Sequence, residues 1–175
     1  MDSHYDQVMK KRGEAGSGTR LYFAYSTILD RQAFLEWRSQ HGYDFFDLPE
    51  GAPAEAIDVS MVFDFPSRFW GGRVAGLADA KGESVHGRLF EIAEKDWPVI
   101  QHKEGAVTGM CVEKPVTVKA GGKTVQAIAF ATNPQRQSNE GPVSAPFLEA
   151  LVRGATSAGL PAEWLKKLRD SGSSR

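Results

Sequence analysis

The feature that most constrains the fold is a block of strand signals in the middle of the chain. Ile57, Val59, Met61, Phe63 and Phe65 recur at period two, which sets them on one face of a half-buried strand. Two further strands follow, over residues 69–78 and 85–92, separated by the turn signal Lys81-Gly82-Glu83. A hairpin comes next, with strands over 107–119 and 124–131 around Ala120-Gly121-Gly122-Lys123. Successive strands joined by short Gly-containing connections pair antiparallel. The glycines of Trp70-Gly71-Gly72-Arg73-Val74-Ala75-Gly76 predict a bulge or a close backbone approach. They do not make a dinucleotide loop, because the G-x-G-x-x-G spacing is absent.

Helical patterns lie on both sides of this block. Leu21-Tyr22-Phe23-Ala24-Tyr25 reads as a buried, aromatic-rich strand, which gives way to an amphipathic helix over 30–41 with Phe34, Leu35 and Trp37 on one face. Residues 42–53, with Pro49-Glu50-Gly51-Ala52-Pro53, form a loop anchored by Phe45, Phe46 and Leu48. A short helix over 94–104 takes Asp96 as N-cap, Pro98 in its first turn and Gly105 as its stop. After a polar loop over 133–141 come helices over 144–158, ended by Gly159, and 161–169, opened by Pro161. Trp70 and Trp97 read as core residues, and Lys166, Lys167 and Arg169 as the wet face of the last helix. No internal repeat is present. This order of elements predicts an α+β fold with a small, mostly antiparallel barrel flanked by helices.

With 175 residues, 41% hydrophobic and 25% charged, the chain suits a single globular domain with a sizeable core. That domain is expected over residues 20–170, after a mobile polar leader over 1–19 and before a tail over 171–175. A formal net charge of -1 gives no electrostatic case for nucleic acid or an anionic membrane. No run approaches the ~20 apolar residues of a membrane helix, and the polar N-terminus lacks a secretory h-region. The lone Cys111 cannot form an internal disulfide and is compatible with a reducing compartment; with no signal and no span, the expected compartment is the cytoplasm by default. Scattered histidines without H-E-x-x-H give no expected metal site. His102-x-Glu104 lacks the downstream P-C-x-x-C of zinc deaminases. Ser26 has neither a G-x-S-x-G elbow nor a sequence-linked histidine, and reads as a turn residue before it reads as a nucleophile.

Two places hold chemistry worth weighing. Glu104 sits near the C-terminal end of the 94–104 helix, where the helix dipole disfavours a negative charge. Partial burial there would raise its pKa into a range useful for moving protons. Read alone, it is an ordinary solvated helix-end residue beside Lys103 before it is a proton carrier. The strand-to-helix junction at 25–29 is the second place. Backbone N–H groups at a helix start lack intrahelical partners and can hold a carboxylate or an oxyanion. By itself it is also an ordinary turn.

Together these stretches resemble the γ-glutamylcyclotransferase family, the AIG2-like group. Tyr22-Phe23-Ala24-Tyr25-Ser26-Thr27-Ile28-Leu29 is similar to that family's Tyr-Phe-Ala-Tyr-Gly-Ser-Asn-Leu. Trp70-Gly71-Gly72 resembles its Trp-x-Gly-Gly strand, and Val85-His86-Gly87 its V-x-G strand. Glu104-Gly105-Ala106-Val107-Thr108-Gly109-Met110 resembles the stretch carrying the family's catalytic glutamate. Gly154-Ala155, Gly159-Leu160-Pro161 and Leu168 follow its C-terminal pattern. The resemblance runs in order over residues 20–170.

The resemblance implies a small mixed barrel flanked by helices and a cofactor-free reaction. In that reaction a γ-glutamyl group closes on itself to 5-oxoproline and releases an amine or amino acid. It implies Glu104 as general acid and base, and Tyr25, Ser26, Thr27, Ile28 and Leu29 as the substrate-holding turn. Cys111 and Phe147 would line the site where family members often have tyrosines. Ser26 replaces the family glycine and Ile28 its asparagine. A small γ-glutamyl compound is then the expected partner, with the protein a monomer or homodimer. The altered turn leaves a second reading open, a ligand-binding protein on the same scaffold that does not turn over or takes a changed substrate.

Overall fold

A computed structural model describes residues 3–172. Five strands, β1 (Thr19–Ala24), β2 (Ala52–Ser67), β3 (Gly72–Ala93), β4 (Cys111–Ala120) and β5 (Lys123–Thr132), close into a barrel in the order β1-β3-β2-β4-β5. Neighbours pair antiparallel except β1 and β5, which meet in parallel through Tyr22 and Ile128. The α+β class and the mostly antiparallel barrel are therefore as the sequence predicts. Five helices pack around the barrel: α1 (Ser3–Glu14), α2 (Arg31–Gln40), α3 (Trp97–Lys103), α4 (Ala145–Ser157) and α5 (Ala162–Ser171).

Alternation along β1 divides its side chains between two cores. Phe23, with Tyr25 just beyond the strand, joins Ala56, Val85, Val116, Val118 and Ala129 in a core closed by Phe147 and Leu151 of α4 and Leu168 of α5. Tyr22 and Ala24 face the other way, toward Phe34, Tyr43, Phe46, Trp97 and Ile100. This second core seats α2 and α3 against the sheet.

Several boundaries differ from the sequence reading. The strands expected over 69–78 and 85–92 are one 22-residue strand, β3. Lys81-Gly82-Glu83 is a bulge within it, across which the pairing with β2 steps from Ile57–Ser84 to Val59–Asp79. The local signal was genuine, since Gly82 adopts φ +83°, but the Asp58 carboxylate accepts the Gly82 N–H at 2.9 Å and holds the bulge in the ladder. The hairpin reversal lies instead between β2 and β3, at residues 68–71. β4 starts only at Cys111, because turns fill residues 104–109.

The expected mobile leader contains α1. Its Val8 is buried in the second core, Tyr5 stacks on Tyr43, and Arg12 spans from the Phe45 ring to an ion pair with Asp96 at 2.9 Å. Asp96 is thereby engaged away from the helix start and makes no side-chain cap. Phe45 is exposed beneath Arg12 and is no core anchor. At the other end, Ser171 of the expected tail is still helical, and residues 173–175 lie outside the described part.

Candidate active site

The pairing pattern brings the ends of β1, β2 and β5 and the starts of β3 and β4 to one mouth of the barrel. A cavity of about 650 Å³ opens there. Tyr25 follows β1, Phe65 ends β2, Val74 starts β3, Cys111 starts β4 and Phe130 nears the end of β5, and all five line it. One side is aromatic, with Trp70 edge-on to Phe147 at 5.5 Å between centroids. The other is the polar face of α2, with Gln32, Glu36, Gln40 and His41.

Glu104 enters this cavity because of how α3 ends. Gly105 takes φ +85°, and the N–H groups of Gly105 and Ala106 donate back to the carbonyls of His102 and Gln101. These paired bonds are a Schellman stop, which a left-handed glycine makes possible. Glu104 is thus fixed as the C-cap of the helix, half-buried in protein but open to the cavity. The Tyr22 hydroxyl donates to its Oε1 at 2.9 Å. Burial raises the Glu104 pKa, and the Lys103 ammonium and the Tyr22 hydrogen bond pull it partly back. Burial in turn lowers the pKa of Lys103, opposed by Glu104. The result is a carboxyl that is costly to ionise but supported when ionised, which suits a group that takes and returns a proton.

The neighbouring groups are held neutral. Burial, and then the Glu104 charge, push the phenols of Tyr22 and Tyr25 well above the ordinary tyrosine range. Tyr25 donates its hydroxyl to the Phe130 carbonyl at 2.6 Å. Burial, with Glu104 and Asp64, pushes the Cys111 thiol up to about 12.

Of the residues the sequence singles out, Glu104, Tyr25, Ser26, Thr27, Cys111 and Phe147 come together around the cavity. Ile28 and Leu29 do not line it. Ile28 is buried in the second core and Leu29 packs between the two cores, so these residues anchor the turn from behind. Apolar side chains at these positions leave water by turning away from a polar pocket. Trp70, read as core, is a half-buried cavity wall.

The turn itself is a 3₁₀ segment, Thr27–Leu29, whose opening amides have no partner inside it. It is tied to α4 by close approach: a Cβ at Gly154 would lie 2.6 Å from the Asp30 amide nitrogen. Asp30, expected to open α2, makes no side-chain cap. Its buried carboxylate accepts from Arg153 instead, at 2.6 Å from Nη2 and 3.2 Å from Nε. Tyr22, Lys103 and the Asp30–Arg153 pair were missed by sequence reasoning. For Tyr22 a signal existed, since period-two alternation puts it on the face opposite Phe23.

Among the described residues no group of three or more His, Cys, Asp or Glu is arranged to hold a metal ion, and no helix is long and apolar enough to cross a membrane.

Comparison with known proteins bears on this arrangement. The model of the AIG2-like family matches residues 84–168. A γ-glutamylcyclotransferase from Bos taurus is 28% identical over 155 residues, covering 85% of this chain and 76% of the relative. A solved γ-glutamyl cyclotransferase superposes with TM-score 0.70 at 23% identity, over 86% of each chain. YkqA from Bacillus subtilis superposes with TM-score 0.76 at 20% identity, over 97% of this chain and 59% of that one. The matching model over the C-terminal half, the bovine relative and the shared barrel agree: the chain is similar to the AIG2-like family and has the γ-glutamylcyclotransferase fold.

Proposed function

We propose that the protein is a γ-glutamylcyclotransferase, converting a γ-glutamyl amine or amino acid to 5-oxoproline and the free amine, with Glu104 as general acid and base. The observation that carries this is the Glu104 carboxyl, raised in pKa by burial, braced by Tyr22 and open to a cavity whose wall includes residues 25–27. The similarity to the bovine γ-glutamylcyclotransferase supports the activity.

The α-amine nitrogen attacks the γ-carbonyl carbon of the same glutamyl group. Glu104 takes the proton that this nitrogen must lose. The resulting oxyanion collapses, the bond from carbon to the departing nitrogen breaks, and Glu104 returns its proton to that nitrogen. No electrons change hands, so the chemistry needs no redox partner or cofactor. Folding the substrate into the attacking geometry supplies most of the acceleration through proximity. The opening amides of the 27–29 turn stabilise the oxyanion or hold the polar end of the substrate. Neutral Tyr25 and Cys111 shape the pocket without competing for the proton. The substitution that most favours a non-catalytic scaffold, Ile28, is absorbed by packing behind the turn. A protein acting in this way on small γ-glutamyl compounds would work in the cytoplasm.

The test is incubation with γ-glutamyl amino acids, γ-glutamyl amines and glutathione, with 5-oxoproline read by mass spectrometry. Lactam from the wild type and none from Glu104→Gln is the expected result. Equal lactam from both proteins would remove Glu104 from its role, and no lactam from any substrate would sink the enzymatic reading.

A further inference from the structure

We propose that Arg153 is a specificity residue that anchors a substrate carboxylate, an inference that rests on the cyclotransferase reading of the same cavity. Arg153 projects from α4 and lines the cavity beside the 25–27 turn. Its side chain is 52% exposed, whereas its partner Asp30 is 4% exposed. The pair is therefore one-sided: the carboxylate is packed away and the guanidinium faces the cavity.

The geometry of the pair leaves the guanidinium ready for a second anion. Only Nε and Nη2 bond to Asp30. A guanidinium carries five N–H donors in a rigid planar fork, so its Nη1 edge remains to be used. That edge can take a carboxylate through two parallel hydrogen bonds, and the bonds to Asp30 already fix its plane. Less side-chain entropy is then lost when a ligand arrives. Asp30 is itself held where Gly154 of α4 meets the turn, so the anchor and the turn move as one body.

Two features narrow the ligand. Glu36 also lines the cavity and contributes to the field at Arg153. Its repulsion grows with ligand charge, which favours a singly charged carboxylate over a phosphate dianion. Lys103, the other cation of the cavity, is committed elsewhere: it lies over the Trp37 ring at 5.7 Å and in the field of Glu104. The base and the carboxylate anchor are thus separate: Lys103 stands beside Glu104, and Arg153 is paired with Asp30. Glu149 on α4 and Glu36, midway along α2, add to the field of Asp30 at Arg153. The carboxylate bound at Arg153 comes from one of two sources: the α-carboxylate of the glutamyl group, or the carboxylate of a departing amino acid.

Equilibrium binding by titration calorimetry distinguishes them. Measurements use the full-length protein carrying Glu104→Gln, so that ligands are not consumed, and three ligands. These are γ-glutamylalanine with two carboxylates, γ-glutamylethylamine with the glutamyl carboxylate alone, and the α-amide of γ-glutamylethylamine with none. A bidentate charged contact should give about tenfold or more preference for the carboxylate-bearing member of one matched pair. Preference for γ-glutamylalanine over γ-glutamylethylamine assigns the leaving-group carboxylate. Preference for γ-glutamylethylamine over its α-amide assigns the glutamyl carboxylate. Arg153→Gln should bring the relevant ratio to near one. Because that variant strands a buried Asp30, the double variant Asp30→Asn/Arg153→Gln is measured beside it. A purely structural clamp would weaken all three ligands by a common factor and leave both ratios intact, which overturns the proposal. Absence of binding by all three ligands to the parent protein would overturn it together with the cyclotransferase reading. Lactam formation by the protein with Glu104 intact, together with ratios unchanged by Arg153→Gln, would overturn Arg153 alone. Ratios collapsed by Arg153→Gln, with no lactam from the protein with Glu104 intact, would overturn only the catalytic reading.

Discussion

Tyr22→Phe is the most informative single change, because it touches Glu104, the proposed base, through one hydrogen bond and little else. The ring is fully buried among Phe90, Trp97 and Phe130, and phenylalanine keeps those contacts. What disappears is the hydroxyl that donates to Glu104 Oε1 at 2.9 Å. A hydrogen bond to a charged group contributes about 1.5–3 kcal/mol. Part of that survives when the carboxyl is protonated, so the differential effect on the ionised form sits near the lower end. About 1.4 kcal/mol is tenfold in rate or population. The Tyr22 bond lowers the Glu104 pKa, so its loss raises that pKa further and leaves less carboxylate at any given pH. The acid limb of kcat/KM should move to higher pH, with about a tenfold loss at a fixed pH on that limb and little change on the plateau above it. The assay is lactam formation by mass spectrometry across a pH series. A limb that stays in place, or moves to lower pH, would refute the role of Tyr22. A uniform loss at every pH would reduce it to packing.

Glu104→Gln should stabilise the protein at alkaline pH while abolishing lactam formation. The folded Glu104 pKa is raised by burial, so ionised Glu104 costs stability above that pKa, and the cost fades as pH falls through it. Thermal denaturation should show a gain in Tm that shrinks toward acid pH. Gly154→Ala places a Cβ 2.6 Å from the Asp30 nitrogen, a backbone atom that cannot rotate aside. It should cost about 1–3 kcal/mol in urea denaturation and weaken ligand binding with it. Val8→Ala should cost about 2 kcal/mol by the same assay, because Val8 is buried in the second core; a freely moving leader would cost nothing. Cys111, with its thiol pushed up to about 12, should react with disulfide reagents at pH 8 far more slowly than in the urea-unfolded chain.

What the sequence revealed depended on the range over which each feature is encoded. The strand signal of β2, the Gly121-Gly122 turn and the proline-opened helices are written within a few residues, and these elements stand where they were expected. The single face expected for β2, however, breaks at Asp58, φ +59°, where the pairing shifts between Ile57 and Val59 and leaves Ile57 outside the core. Glu104 was legible for the same reason: its setting is the Schellman stop, carried by the adjacent Gly105. Lys81-Gly82-Glu83 shows the limit of that reasoning. A left-handed glycine marks a bulge as readily as a reversal, and only pairing with Asp58 on the opposite strand decides between them. α1 was hidden because its residues are mostly polar. Its docking rests on Val8, Tyr5 and Arg12 meeting partners in distant segments.

The chemistry of the cavity is encoded at longer range still. Tyr22 and Glu104 are separated by 82 positions and Asp30 and Arg153 by 123, so neither pair leaves a local pattern. Both depend on the barrel bringing the ends of β1, β2 and β5 to one mouth, with α3 and α4 delivering their side chains there. The two pairs also sit differently in energy. Asp30 gains a bidentate partner, so that ion pair braces the turn as well as presenting Arg153. Glu104 has only a neutral hydroxyl and a partly desolvated lysine to support its charge. The barrel core must therefore carry the cost of burying Glu104, and, on the proposed role for this residue, substitutions that ease it should gain stability while losing turnover.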